Sequence, residues 1–166
     1  HPWLSYQNLL DGSLRSVESP GHFWKDYALG RSSILTVIPK PTTLVRALHE
    51  VMPIISKNME ALSFRVPTNI VSTSDLTINL KNSVSVKDIN ELFKSKAAEK
   101  TALLGYNDEQ LVSTDFKGIS ESIIIDGRWT RIMNGKTIKC ILWYDNEWGY
   151  SNRVVDMVRL IEKSLT

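Results

Sequence analysis

Cysteine is almost absent. Cys140 is the single thiol in 166 residues, so no disulfide can form within the chain. A lone thiol fits a reducing compartment. Long hydrophobic runs are missing too. No stretch approaches the ~18 apolar residues that a membrane-spanning helix needs, so no membrane partner is expected. An excess of one charge sign is also lacking. The 20 Lys and Arg and 18 Asp and Glu are scattered and leave a net charge of +2. That argues against a large nucleic-acid footprint. There is no Gly-rich strand–loop–helix motif to cradle a dinucleotide pyrophosphate. No G-x-S-x-G nucleophile elbow, internal repeat or low-complexity segment occurs, and no metal site is assigned. The first residues, His1-Pro2-Trp3, are neither a signal peptide nor an initiator methionine, which predicts a piece of a longer protein.

What remains is the composition of one globular domain, 42% hydrophobic and 23% charged, long enough to bury a core. Residues 1–34 are rich in breakers, Pro2, Gly12, Pro20, Gly21 and Gly30, and read as a long loop region. Its aromatics, Trp3, Tyr6, Phe23, Trp24 and Tyr27, predict an ordered loop packed against something. Residues 34–38 read as a short strand ending at Pro39. Leu44, Leu48 and Val51 share one helical face over 42–51, which Pro53 ends or kinks. Residues 60–66 and 70–80 read as strands, the second through the alternation of Leu76, Ile78 and Leu80. Ser85-Val86-Lys87-Asp88 matches a capping box and opens a helix to about Lys100. Short strands are predicted at 102–104, 110–113, 120–125 and 130–133. Asn134-Gly135 then marks a hairpin turn. A last strand over 136–143 puts Ile138, Cys140 and Leu142 on one face, and residues 153–163 read as the last helix. Strands and helices do not alternate regularly. The pattern predicts an α+β fold: a mixed, largely antiparallel sheet with helices on one side, a long N-terminal loop and a C-terminal helix.

The stretch Trp143-Tyr144-Asp145-Asn146-Glu147-Trp148-Gly149-Tyr150-Ser151-Asn152-Arg153 joins the last strand to the last helix. Such a junction holds side chains at the end of a rigid element. By local chemistry alone it reads as a packed turn, with Ser151 as N-cap and Gly149 giving backbone freedom. Cys140, on an apolar strand face, reads as a core residue. A hydrolase pairing His1, His22 or His49 with a serine is a distant further reading, given the missing elbow.

The wording of that junction closely resembles the C-terminal signature of phosphorylating glyceraldehyde-3-phosphate dehydrogenases. Ser63-Phe64-Arg65-Val66-Pro67-Thr68 with Asp75-Leu76-Thr77, and Leu111-Val112-Ser113-Thr114-Asp115-Phe116, match the family in order and approximate spacing. His1, Gln7 and Asp11-Gly12 fit the family pattern H-x5-Q-x3-D-G that starts at its catalytic histidine.

The resemblance implies a division at residue 146. Residues 1–146 would be a catalytic domain incomplete at its start, and 147–166 a helix packing on an NAD-binding domain not in this sequence. It implies His1 as general base, a role an imidazole suits near neutral pH. Arg65 would bind the substrate phosphate, because a guanidinium donates paired hydrogen bonds to such groups. Thr42 would contact inorganic phosphate, next to Thr43 where the family usually has glycine, and Arg31 would be a further anion contact. Asn146 would hydrogen-bond the nicotinamide carboxamide, with Tyr150 beside the ring and Tyr144 near the nucleophile. The nucleophilic cysteine of the family lies upstream of the histidine, so the isolated chain is expected to be inactive. Leu4 stands where the family places a phosphate-binding threonine, which keeps erythrose-4-phosphate dehydrogenase as an alternative. A non-catalytic binding or assembly module is the other alternative. The implied parent is a cytoplasmic, glycolytic homotetramer that uses NAD, inorganic phosphate and a sugar phosphate, with no nucleic-acid partner.

Overall fold

The computed structural model describes residues 5–11, 36–99 and 102–165, the first segment by its backbone. The elements are β1 (Ser5–Asp11), β2 (Ile38–Pro41), α1 (Leu44–Val51), α2 (Pro53–Ser56), β3 (Met59–Arg65) and β4 (Ser72–Asn79). They continue as α3 (Val86–Glu99), β5 (Leu104–Asn107), a 3-10 turn (Ser113–Phe116), β6 (Ile123–Met133), β7 (Thr137–Tyr144) and α4 (Trp148–Leu165). Seven strands form one sheet in the order β2-β3-β1-β4-β7-β6-β5. β1 runs parallel to β3, and β5 parallel to β6; the other four pairings are antiparallel. The fold is α+β with a mixed sheet and a C-terminal helix.

Local chemistry explains the central elements. The alternation in β7 buries Ile138, Cys140 and Leu142 on one face. Ile138 and Cys140 pack with Ile89 and Phe93, which fixes α3 over that face. The box that opens α3 is closed reciprocally: Ser85 N–H donates to Asp88 Oδ2 at 2.9 Å, and Asp88 N–H to Ser85 Oγ at 3.2 Å. Burial among these apolar groups pushes the Cys140 thiol up to about 11. Little thiolate then exists at neutral pH. Native protein is therefore expected to resist a thiol reagent that labels it fully once denatured; fast native labelling would contradict this burial.

Asn134 and Gly135 take positive φ angles of 51° and 67°, as a two-residue hairpin turn requires, and join β6 to β7. β6 is one long strand where two short ones were expected, because a bulge between Asp126 and Arg131 interrupts its register without ending it. The bulge contains Asp126, fully buried, whose oxygens take Arg128 Nε and Nη2 at 2.9 and 2.6 Å and Trp143 Nε1 at 3.0 Å. Trp143 stacks on Phe116 at 5.4 Å, and Val71, Phe116 and Ile124 form a second core cluster.

Other expectations are corrected. Residues 5–11 of the expected loop region form a strand, stabilised by pairing with β3 and β4 on either side. Residues 110–113 form no strand. The Asp115 carboxylate accepts the Val112 N–H at 2.8 Å and turns the chain into the 3-10 helix instead. Of the strand expected at 34–38, residues 34 and 35 lie outside the described residues, 36 and 37 form no strand, and Ile38 opens a strand to Pro41 paired with Leu62–Arg65. α4 begins five residues earlier than expected, at Trp148, for a reason that lies in the site.

Candidate binding site at one end of the sheet

The register gathers the C-terminal ends of β3 and β7 and the N-terminal end of β4 at one end of the sheet. Asp11 pairs with Arg65, Leu10 with Thr73, and Ser72 with Tyr144. Arg65 therefore closes β3 at the same end at which the 144–150 junction leaves β7. β1 and β4 lie between them, three strand spacings or about 14 Å.

Four of the eight buried side-chain polar atoms without partners among the described residues lie at this end; the other four belong to Asp75, Asn90, Thr130 and Arg153. Among the described residues, Arg65 Nε, Thr68 Oγ1, Ser72 Oγ and Asn146 Oδ1 are buried and accept or donate no hydrogen bond. Buried polar groups are nearly always satisfied in native proteins, so such a cluster calls for a reason, and a ligand is one. Val71, between Thr68 and Ser72, adds backbone strain. It is β-branched and buried, yet has φ of 70°. Such a conformation costs on the order of 1–3 kcal/mol and persists only where surrounding structure imposes it, often at ligand sites.

The junction itself is rigid. Asp145 is buried, and its Oδ1 accepts the N–H groups of Glu147 at 3.0 Å and Trp148 at 2.8 Å. Its Oδ2 accepts the Gly118 N–H at 2.8 Å. Asp145 thus caps α4, replacing Ser151 in that role, and this is why the helix starts at Trp148. Burial pushes the Asp145 carboxyl up, but the N–H groups of Gly118, Trp148 and Glu147, with Lys117 nearby, outweigh it and hold it below the usual range. One turn on, Arg153 donates to Ala102 O and to Ser122 Oγ, the latter at 3.2 Å, and pairs with Asp156 at 2.7 Å.

Gly149 is buried where a Cβ would stand 2.9 Å from the Glu121 carbonyl oxygen, a backbone atom that cannot swing aside. Gly149→Ala is therefore expected to destabilise the protein by about 1–3 kcal/mol, as overpacking does. Urea unfolding checks it, and an unchanged midpoint would contradict the close approach.

The other candidates fall as follows. Tyr150 stands in the first turn of α4, 70% relative exposure in this chain, and shares the junction with Asn146. Thr42 and Thr43 lie past Pro41, which pairs with Leu62, so they sit about 13 Å along β2 from the Arg65 end. Thr42 Oγ1 accepts the Leu44 N–H at 3.2 Å and so takes part in starting α1. His1, Leu4 and Arg31 lie outside the described residues. His49 Nδ1 is 2.9 Å from Ser56 Oγ, and that hydroxyl also lies 3.1 Å from Pro53 O. The hydroxyl proton therefore has two candidate acceptors, the Pro53 carbonyl and the ring nitrogen, and the pair lies on α1 and α2, away from the junction.

The polar groove between α3 and the β6 bulge, lined by Lys87, Lys94, Tyr106 and Arg128, has its cations committed. Lys94 pairs with Asp108, Arg128 with Asp126 and Lys87 with Glu91. Among the described residues no group of three or more His, Cys, Asp or Glu could hold a metal ion. No described helix is long and apolar enough to cross a membrane. The sequence singled out Arg65, Asn146 and Tyr150 as candidates, which lie at this end of the sheet or in the junction, and did not single out Asp145. Its signal was local: an Asp two and three residues before the N–H groups it caps.

Comparison with known proteins matches residues 15–146 to the domain family described as glyceraldehyde 3-phosphate dehydrogenase, C-terminal domain. The chain is 41% identical over 146 residues to glyceraldehyde-3-phosphate dehydrogenase 3, cytosolic, of Zea mays, covering 87% of this chain and 43% of that protein. It is 38% identical over 151 residues to the Atriplex nummularia glyceraldehyde-3-phosphate dehydrogenase, covering 90% and 41%. It is 39% identical over 146 residues to glyceraldehyde-3-phosphate dehydrogenase 2, cytosolic, of Hordeum vulgare, covering 87% and 47%. The chain spans less than half the length of these curated relatives.

Proposed function

The chain belongs to the family of glyceraldehyde-3-phosphate dehydrogenase C-terminal domains, and on that premise we propose that it is the catalytic part of an NAD-dependent, phosphorylating aldehyde dehydrogenase. The parent would convert glyceraldehyde-3-phosphate and inorganic phosphate to 1,3-bisphosphoglycerate, in the cytoplasm and as a homotetramer. The names of the relatives, several of them cytosolic, support the substrate and the compartment. The observation that carries the reading is the pair of orphaned atoms at one sheet end, Arg65 Nε and Asn146 Oδ1.

A buried guanidinium N–H without a partner suits a phosphate oxygen, so Arg65 would hold the substrate phosphate. A buried amide oxygen without a partner suits an N–H donor, and a nicotinamide carboxamide offers one, so the residues fit NAD. NAD, when bound, supplies the hydride acceptor. Asn146 would orient the carboxamide and Tyr150 would flank the ring. Thr42 and Thr43 would form the separate inorganic-phosphate contact, with Arg31 a further anion contact. His1 would take the nucleophile's proton and return it. Residues 147–166 would pack on the NAD-binding part of the parent. In this chain Val154, Val158 and Ile161 of α4 are exposed, which supports that role.

The test is kcat/KM of the complete parent for glyceraldehyde-3-phosphate and erythrose-4-phosphate, with NAD and phosphate. A preference for the three-carbon aldehyde is expected. A preference for the four-carbon one would move the assignment to erythrose-4-phosphate dehydrogenase, which Leu4 favours. Activity with neither would leave a binding or assembly module. The isolated chain is expected to be inactive in the same assay.

A further inference from the structure

We infer that Asp145 is a positioning residue for cofactor binding, one that fixes the turn carrying Asn146 so that its amide is set before the ligand arrives. The inference rests on the function proposed above. The geometry is specific. Asn146 is the residue between the Asp145 carboxylate and the two N–H groups that Oδ1 accepts, those of Glu147 and Trp148. The peptide units on the C-terminal side of Asn146 are therefore held by its neighbour's side chain. The other oxygen reaches 27 residues back in sequence to the Gly118 N–H, which ties the turn to the segment after the 3-10 helix. Gly118 has φ of 80°, a conformation that glycine adopts without strain.

A plain N-cap needs one carboxylate oxygen, and here both are used, with the group buried. Asn146, by contrast, spends none of its own amide oxygen on the fold among the described residues. One residue of the pair does the holding and the other is left to bind. A preorganised acceptor gains affinity because less freedom is lost on binding.

The experiment uses the complete parent and two dinucleotides, NAD and its 3-acetylpyridine analogue, in which the acetyl group lacks the carboxamide N–H donors. Dissociation constants are measured by protein-fluorescence titration without substrate, beside a thermal melt of each variant. Asn146→Ala is expected to weaken NAD about tenfold, the value of one hydrogen bond, and the analogue less than about twofold. Asp145→Asn keeps the shape but turns an amide N–H₂ toward backbone donors. It is expected to reproduce that selective loss, and to add nothing to it in the Asn146→Ala background. Asp145→Ser, which keeps a capping hydroxyl, carries the same comparison if Asp145→Asn does not fold.

Equal weakening of both dinucleotides by the Asp145 variants would overturn the inference and leave a general stability role. So would unchanged NAD affinity, or a loss that persists without Asn146. If the unaltered parent binds neither dinucleotide, the proposed function itself fails, and the inference fails with it.

Discussion

Asp126→Ala is expected to destabilise the protein by about 3–5 kcal/mol, the cost of leaving one half of a buried ion pair without the other. Asp126 is fully buried and Arg128 largely so, and the guanidinium also donates to Leu111 O at 2.8 Å. Without the carboxylate, the Arg128 charge has no counter-ion there and Trp143 Nε1 loses its acceptor. Trp143 stacks on Phe116, so the damage extends into the core cluster beside the site. A double change, Asp126→Ala with Arg128→Met, is expected to recover part of the loss, since no charge is then stranded. Urea unfolding of the three variants decides it, and a loss below about 1 kcal/mol for the single change would mean the pair is solvated.

The same group gives a pH dependence. Burial pushes the Asp126 carboxyl up, but hydrogen bonds from Arg128 and Trp143, and the Arg128 charge, hold it below the usual range. A carboxyl with a depressed folded-state value binds its proton more readily when unfolded. Its stabilisation is complete above the unfolded value near 3.9 and is lost as pH falls through the folded value. Unaltered protein should thus lose more stability below about pH 4 than Asp126→Asn does.

Arg65→Leu in the parent is expected to lower kcat/KM for the aldehyde phosphate roughly 10- to 100-fold, the range of a charge-assisted hydrogen-bond pair. Arg65→Lys should fall between, because an ammonium keeps the charge without the planar fork. Affinity for NAD should not change, since Arg65 and Asn146 stand three strand spacings apart. Steady-state kinetics at varied aldehyde concentration measure it. An unaltered kcat/KM would remove Arg65 from the substrate site.

Much of the scaffold was legible because its signals are local. The Ile138, Cys140 and Leu142 alternation, the Ser85–Asp88 box and the Asn134-Gly135 turn each sit within a few residues of the structure they specify. What stayed hidden depends on distance in sequence. β1 is held by strands more than fifty residues away, and local breakers obscured it. The Asp126–Arg128 pair is only two residues apart, but nothing in the sequence said it was buried. α4 starts early because Asp145 caps it, whereas the sequence reads as a packed turn at Gly149 with Ser151 as the N-cap. Position 149 takes glycine because the Glu121 carbonyl passes too close for any side chain, not because the chain turns there. Arg65 and Asn146 were readable only through the family resemblance. Their partnerless buried atoms, and their place on one sheet end, belong to the fold.

The central claim is that the ends of β3 and β7 form one ligand site. Hydrogen–deuterium exchange of the complete parent, with and without NAD plus glycerol 3-phosphate, a phosphate ester that lacks the aldehyde, tests it most directly. Peptides covering 63–72 and 143–150 are expected to gain protection on ligand addition, and the α3 peptide 86–99 is not. Protection confined to other segments, with 143–150 unchanged, would contradict the account.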